Sequence, residues 1–153
     1  MNIFDELAEQ YYEIDKQYAA IEFEAGRRRW VRKEKKYRRK REINDQAYFL
    51  FMFSRLEDRI REESAKLITK KKASITSWRV KSPWEILPSN PDDDLHFKKR
   101  LALLCEKGGR DYNLVVEYYK ERNSIAHGGS FMRAISMPTV ISEFKRLYKI
   151  LKA

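Results

Sequence analysis

A chain of 153 residues, 42% hydrophobic and 37% charged with only 5 glycines, has the size and composition of one helix-rich globular domain. It is long enough to bury a core without staples, and its single cysteine excludes an internal disulfide. The longest apolar run, "AYFLFMF", is too short to span a bilayer, and "MNIFDELAEQ" is acidic where a secretory leader is basic, so a cytoplasmic protein without membrane association is expected. The net charge of +10 is unevenly placed: residues 1–25 carry seven acids against one lysine, residues 26–42 eleven Lys or Arg against two Glu.

In chain order, Phe4, Leu7, Tyr11, Ile14, Tyr18 and Ile21 are spaced 3, 4, 3, 4, 3, one apolar stripe on a helix that ends or loosens at Gly26. The basic segment 26–42 has no breakers and predicts either a continuation of that helix or a second helical segment. A further helix is expected from about Ile43 to Lys71, with Phe49, Phe53, Leu56, Ile60 and Leu67 inward. Beside them a second stripe begins at Ile43, Ala47 and Leu50 and turns polar at Ser54 and Glu57. Residues 73–93 hold three of the four prolines and read as a long connection, with a short helix starting at Ser82-Pro83 or a short strand near Trp78. Asp92–Asp94 predict the acidic start of the next helix, ending at "KGG"; it carries Cys105, expected as a buried thiol. A helix after Asp111 closes at "HGGS", and a last one starts near Ser136–Pro138 with Val140, Ile141, Phe144, Leu147, Tyr148 and Leu151. The expected fold is all-α: one domain over residues 1–153, an up-and-down bundle of four to five helices.

The helix after Asp111 has a seam at Val115, Tyr118, Arg122 and Ile125, so an arginine fills an apolar slot. A guanidinium withdrawn from water needs an anion. Either it pairs with Glu57, if the Ser54–Glu57 face lies opposite, or it serves a bound phosphate. Asn123 and His127 are four residues apart and share a helix face next to it, beside Gly128–Gly129.

The stretch "RNSIAH" resembles the Arg-x4-His signature of the HEPN superfamily, in which Asn often follows the Arg and Gly the His. The setting is similar too: an all-α bundle, the motif late in the penultimate helix, one closing helix, and a polar pair within "YFLFMFSRLEDRI". The branch paired with minimal nucleotidyltransferases carries a Tyr two residues after the His, where this chain has Gly129. The resemblance covers the architecture of most of residues 43–152.

Catalytic members of that family are metal-independent endoribonucleases of toxin and antiviral-defence systems. The RNA 2′-hydroxyl attacks the adjacent phosphate and leaves a 2′,3′-cyclic phosphate. The resemblance implies His127 as proton carrier, Arg122 as counter-charge to the phosphorane, and Asn123 orienting either the imidazole or the phosphate. Ser54 and Glu57 support them. It also implies a homodimer whose two motifs share one cleft, no cofactor, and an antitoxin or other defence-system protein as partner. "DDDLH" has no metal-ligand spacing, so no metal is expected. The basic arm, with Arg27, Arg28, Arg29, Trp30, Arg32, Lys33, Lys35, Lys36, Arg38 and Arg39, fits an RNA footprint: cations for phosphates, Trp30 and Tyr37 for stacking. The alternative is a non-catalytic HEPN-like module that binds RNA or a partner.

Overall fold

The computed structural model describes residues 3–153. They form six helices, with no strand among them: α1 Ile3–Arg27, α2 Val31–Ser74, α3 Trp78–Glu85, α4 Phe97–Leu104, α5 Arg110–Ala126 and α6 Met137–Ile150. The all-α expectation holds, with one helix more than the four to five expected. Two compact units divide the chain. One comprises the residues up to Phe53 with Glu121–Phe144, the other Ser54–Lys120 with Lys145–Ala153.

In the first unit, α1 and the start of α2 form an antiparallel hairpin. Tyr11 donates its hydroxyl to Asp45 at 2.7 Å, and Arg41 grips Asp15 at 2.8 Å and Glu22 at 3.1 Å. The turn between the helices is a Schellman motif. The N–H of Trp30 donates to the Ala25 carbonyl at 2.8 Å and that of Arg29 to Gly26 at 3.0 Å, with Arg29 left-handed at φ 57°. The break therefore falls at 28–30: residues 26–27 of the basic segment end α1, 28–30 form the turn, and 31–42 open the 44-residue α2. Of the predicted stripe Phe4 and Tyr11 are buried, and the core is an aromatic cluster in which Phe49 meets Phe53, Phe131 and Phe144 at 5.3–6.2 Å. Each fully buried phenylalanine contributes about 1.5–3 kcal/mol of transfer free energy.

The second unit is built on Leu56, Ile60, Ile68, Leu101, Val115, Leu147 and Leu151, with Phe97 stacked on Tyr119 at 4.6 Å. Three local expectations fail here. No strand forms near Trp78. Instead α3 starts at Trp78 after Ser77, and Pro83 lies inside it, tolerated because so short a helix forfeits only one backbone bond. Asp92–Asp94 do not open α4, whose first residue is Phe97. His96 caps it, Nδ1 accepting the N–H of Lys98 at 3.3 Å. The preceding loop is shaped by the buried Arg100, which donates to the carbonyls of Asn90 and Asp93 and to the Ser64 hydroxyl at 2.9–3.1 Å. Cys105 ends α4 instead of lying within it. It is half-buried, its thiol bonded to the Leu101 carbonyl and pushed up to about 11 by burial and then by Asp111.

Candidate functional site

The stretch that draws attention in the sequence closes α5. Beyond Ala126 the chain reverses through a second Schellman turn: the N–H of Gly129 donates to the Ser124 carbonyl at 2.9 Å, that of Gly128 to Ile125 at 3.0 Å. Gly128 has φ +83°, which favours glycine. A Cβ on Gly129 would lie 2.8 Å from the Ser124 carbonyl and 2.9 Å from its hydroxyl, so this position rejects any side chain. Ser124 then donates its hydroxyl to the Ser130 carbonyl at 2.7 Å. Glu121, only 2% exposed, accepts the N–H of Met132 at 2.7 Å and faces Arg133 at 3.6 Å. Residues 128–133 are thus clamped to the last turns of α5.

On that frame stand Arg122, Asn123 and His127. Arg122 is half-buried and donates from Nη1 to the Asn123 carboxamide oxygen at 3.1 Å. The Asn123 side chain turns to Arg122, so its link to His127 is the backbone bond from the His127 N–H to the Asn123 carbonyl at 3.1 Å. His127 is exposed, and its imidazole has no hydrogen-bond partner among the described residues. The structure brings the first two side chains together and leaves the third open to a ligand on the next turn.

The charge drawn most deeply into this part of α5 is Glu121, not Arg122. Position 121 follows Tyr118 by three residues and precedes Ile125 by four, so it fits the seam spacing as well as 122 does. The signal was present in the sequence, but a register chosen on the Arg hides it. Of the proposed supporting residues, Ser54 is exposed, whereas Glu57 is buried in the second unit and accepts Arg61 Nη2 at 2.9 Å.

The basic arm splits into two sets of side chains. Five arginines meet carboxylates: Arg27 and Arg28 on Glu24, Arg38 on Glu22 and Glu34, Arg39 on Glu42, and Arg41 on Asp15 and Glu22. Burial works to raise the Glu22 carboxyl, but the hydrogen bonds from Arg41 and Arg38 outweigh it and hold it below its usual range. Arg29, Arg32, Lys35 and Lys36 have no carboxylate partner among the described residues and are exposed. Positions 32, 35, 36 and 39 share one face of α2, turned away from the residues that pair with α1. The aromatic residues expected to stack on bases are already occupied. Arg28 and Lys33 lie 4.9 and 5.1 Å over the Trp30 ring, while Tyr37 packs edge-on to Tyr18 at 5.8 Å and carries Lys40 at 4.8 Å.

Compared with protein-family models, with curated proteins and with solved structures, the chain finds no match. No helix among the described residues is long and apolar enough to cross a membrane, and no group of three or more His, Cys, Asp or Glu among them could hold a metal ion.

Proposed function

We propose that this protein is a metal-independent endoribonuclease of HEPN type, cytoplasmic and active in a toxin or antiviral-defence system. The observation that carries the reading is an exposed imidazole without a hydrogen-bond partner among the described residues, His127, on a clamped glycine turn one helical turn beyond the bonded Arg122–Asn123 pair.

In this reading the 2′-oxygen of the substrate attacks the adjacent phosphorus while its proton passes to a base. The phosphorus–O5′ bond then breaks, O5′ takes a proton, and a 2′,3′-cyclic phosphate and a 5′-hydroxyl result. His127 is the group suited to carry a proton near neutrality. The Arg122 fork balances the charge that develops on the phosphorane, with Asn123 holding the guanidinium in place. Two proton transfers need two carriers. The only other histidine, His96, caps α4, so the second carrier is the His127 of another copy, which makes a homodimer part of the proposal. The free cations of α2 hold the RNA backbone, and an antitoxin or other defence-system protein covering them would be acidic.

The second reading, an RNA- or partner-binding module without cleavage, is favoured by that same cationic face, which needs no chemistry to act. The test is cleavage of labelled RNA in EDTA by wild type and His127→Ala, with end-group analysis. Cyclic-phosphate ends made by wild type and lost in the variant support the enzyme. Binding without cleavage by either protein supports the module.

A further inference from the structure

Beside the clamped turn, within the first unit, lies a cavity of about 450 Å³, within the size range of small-molecule sites. Its walls come from α2, through Arg39, Asp45 and Gln46, and from the clamped segment, through Ser130, Phe131 and Arg133. Ser130 is bonded to Ser124, the residue after Asn123, which ties one wall of the cavity to the turn of α5 that carries the catalytic candidates, although none of the three lines it.

Asp45 and Gln46 line this cavity without being fully used, as does Glu42, of which only Oε2 is bonded among the described residues, to Arg39. Asp45 accepts the Tyr11 hydroxyl at Oδ1, while its other oxygen meets no donor among the described residues. The Gln46 carboxamide is half-buried and likewise without a bond among them. Burial, not a neighbouring acid, is the largest influence on the Asp45 carboxyl and raises it above its usual range, consistent with a carboxylate not fully matched by donors. Phe131 sets its ring edge-on to Phe49 and lines the cavity; Arg39 and Arg133 place guanidiniums there.

We infer that this cavity is a nucleobase subsite selective for guanine, with Asp45 and Gln46 reading the Watson–Crick edge of the base next to the scissile phosphate. The inference rests on the ribonuclease reading for the choice of RNA as ligand. A carboxylate only accepts hydrogen bonds, and a carboxamide can donate. Guanine alone among the four bases presents two adjacent donors, N1–H and the N2 amino group, beside an acceptor, O6. Asp45 takes the first two and the Gln46 amide donates to the third. Adenine turns the bare N1 lone pair towards the carboxylate, and uracil flanks its one N–H with two carbonyl oxygens; both are repelled. Phe131 offers its ring to the base, the usual way an unstacked base is held. Arg39, exposed beside Glu42, meets a flanking phosphate in exchange for that pairing, while Arg133 keeps its place on Glu121 and adds positive charge at the rim.

The test uses short 2′-O-methyl oligouridines carrying one variable base, which the 2′-attack cannot cleave, with binding read by fluorescence anisotropy at fixed salt. Wild type should bind the guanine-bearing probe about tenfold more tightly than the adenine, cytosine and uracil probes. Asp45→Asn and Gln46→Ala should each bring the four probes close together, while His127→Ala keeps the preference. Equal binding of all four probes by wild type, no binding at all, or a preference that survives both variants overturns the subsite. A guanine preference in a protein that leaves unmodified RNA intact sinks the ribonuclease reading and leaves the subsite standing.

Discussion

The carboxylate of Glu121 accepts the N–H of Met132 at 2.7 Å and meets Arg133 at 3.6 Å, so the residue just before Arg122 clamps the segment that follows His127. A buried acid thereby sets the path of the chain around the candidate site. Glu121→Ala leaves the Met132 N–H and Arg133 without their carboxylate and should cost about 1–3 kcal/mol in urea unfolding. Limited proteolysis should also begin to cut within 128–135. Unchanged stability together with an uncut segment would show that the clamp is dispensable.

Arg122→Lys keeps the charge and loses the planar fork. In the proposed enzyme, melting should stay close to wild type while cleavage falls by about a hundredfold, the scale of one lost charge-stabilising donor. A large drop in melting temperature with cleavage retained would make Arg122 a structural residue.

The pairing pattern on α2 separates cations that can bind phosphate from those that hold the hairpin. Replacing Arg29, Arg32, Lys35 and Lys36 by Gln should reduce the slope of log affinity against log salt by about 3, as each phosphate contact contributes about 0.7–0.9. Replacing Arg41, bound to Asp15 and Glu22, should instead lower stability with little change in slope. The opposite pattern would place the RNA contact elsewhere.

Arg29 closes its Schellman turn at φ 57°, where a side chain is strained and glycine is not. Arg29→Gly should raise unfolding stability by about 1 kcal/mol and weaken RNA binding at low salt, since it also removes a free cation. A loss of stability would mean that the arginine side chain contributes more than its backbone costs.

Asp45 has a carboxyl raised above its unfolded value, with burial the first cause. The folded state therefore binds its proton more tightly, and ionisation as pH rises past the unfolded value of 3.8 costs stability. Asp45→Asn mimics the protonated form and can still accept the Tyr11 hydroxyl. It should melt above wild type at pH 7, with the difference shrinking as the pH falls through the raised folded value and nearly gone once it is below 3.8. A variant that melts lower at neutral pH would show that the charged bond from Tyr11 outweighs desolvation.

Much of the helical plan was legible in one dimension, because burial on a helix follows a period that local sequence displays. The spacing of Phe4 and Tyr11, of Phe49, Phe53, Leu56 and Ile60, and of Phe144, Leu147 and Leu151 marks faces that are buried. The glycines of "HGGS" end α5 because Gly128 must be left-handed and Gly129 must lack a Cβ. Where signals were weak or shared, reading failed. A run of lysines and arginines carries no apolar period, so the union of 31–74 into one helix was not visible. Acids that often open a helix at 92–94 lie in a loop whose backbone carbonyls at Asn90 and Asp93 are held by Arg100, itself anchored to Ser64, 36 residues away along the chain.

The sequence by itself determined which chemistry the chain possesses: an imidazole at position 127, four residues past an amide and five past an arginine, and a dense basic segment. It did so because residue type and helical spacing are local properties. Only the tertiary structure decided which of those groups are available. Folding α1 back on α2 brings Glu22 and Asp15 to Arg38 and Arg41 and leaves Arg29, Arg32, Lys35 and Lys36 without a carboxylate among the described residues, an outcome set by partners up to 26 residues away. It likewise buried Glu121 beneath the turn and opened a cavity at Asp45. Electrostatic pairing acts through space, and no period along the chain records it.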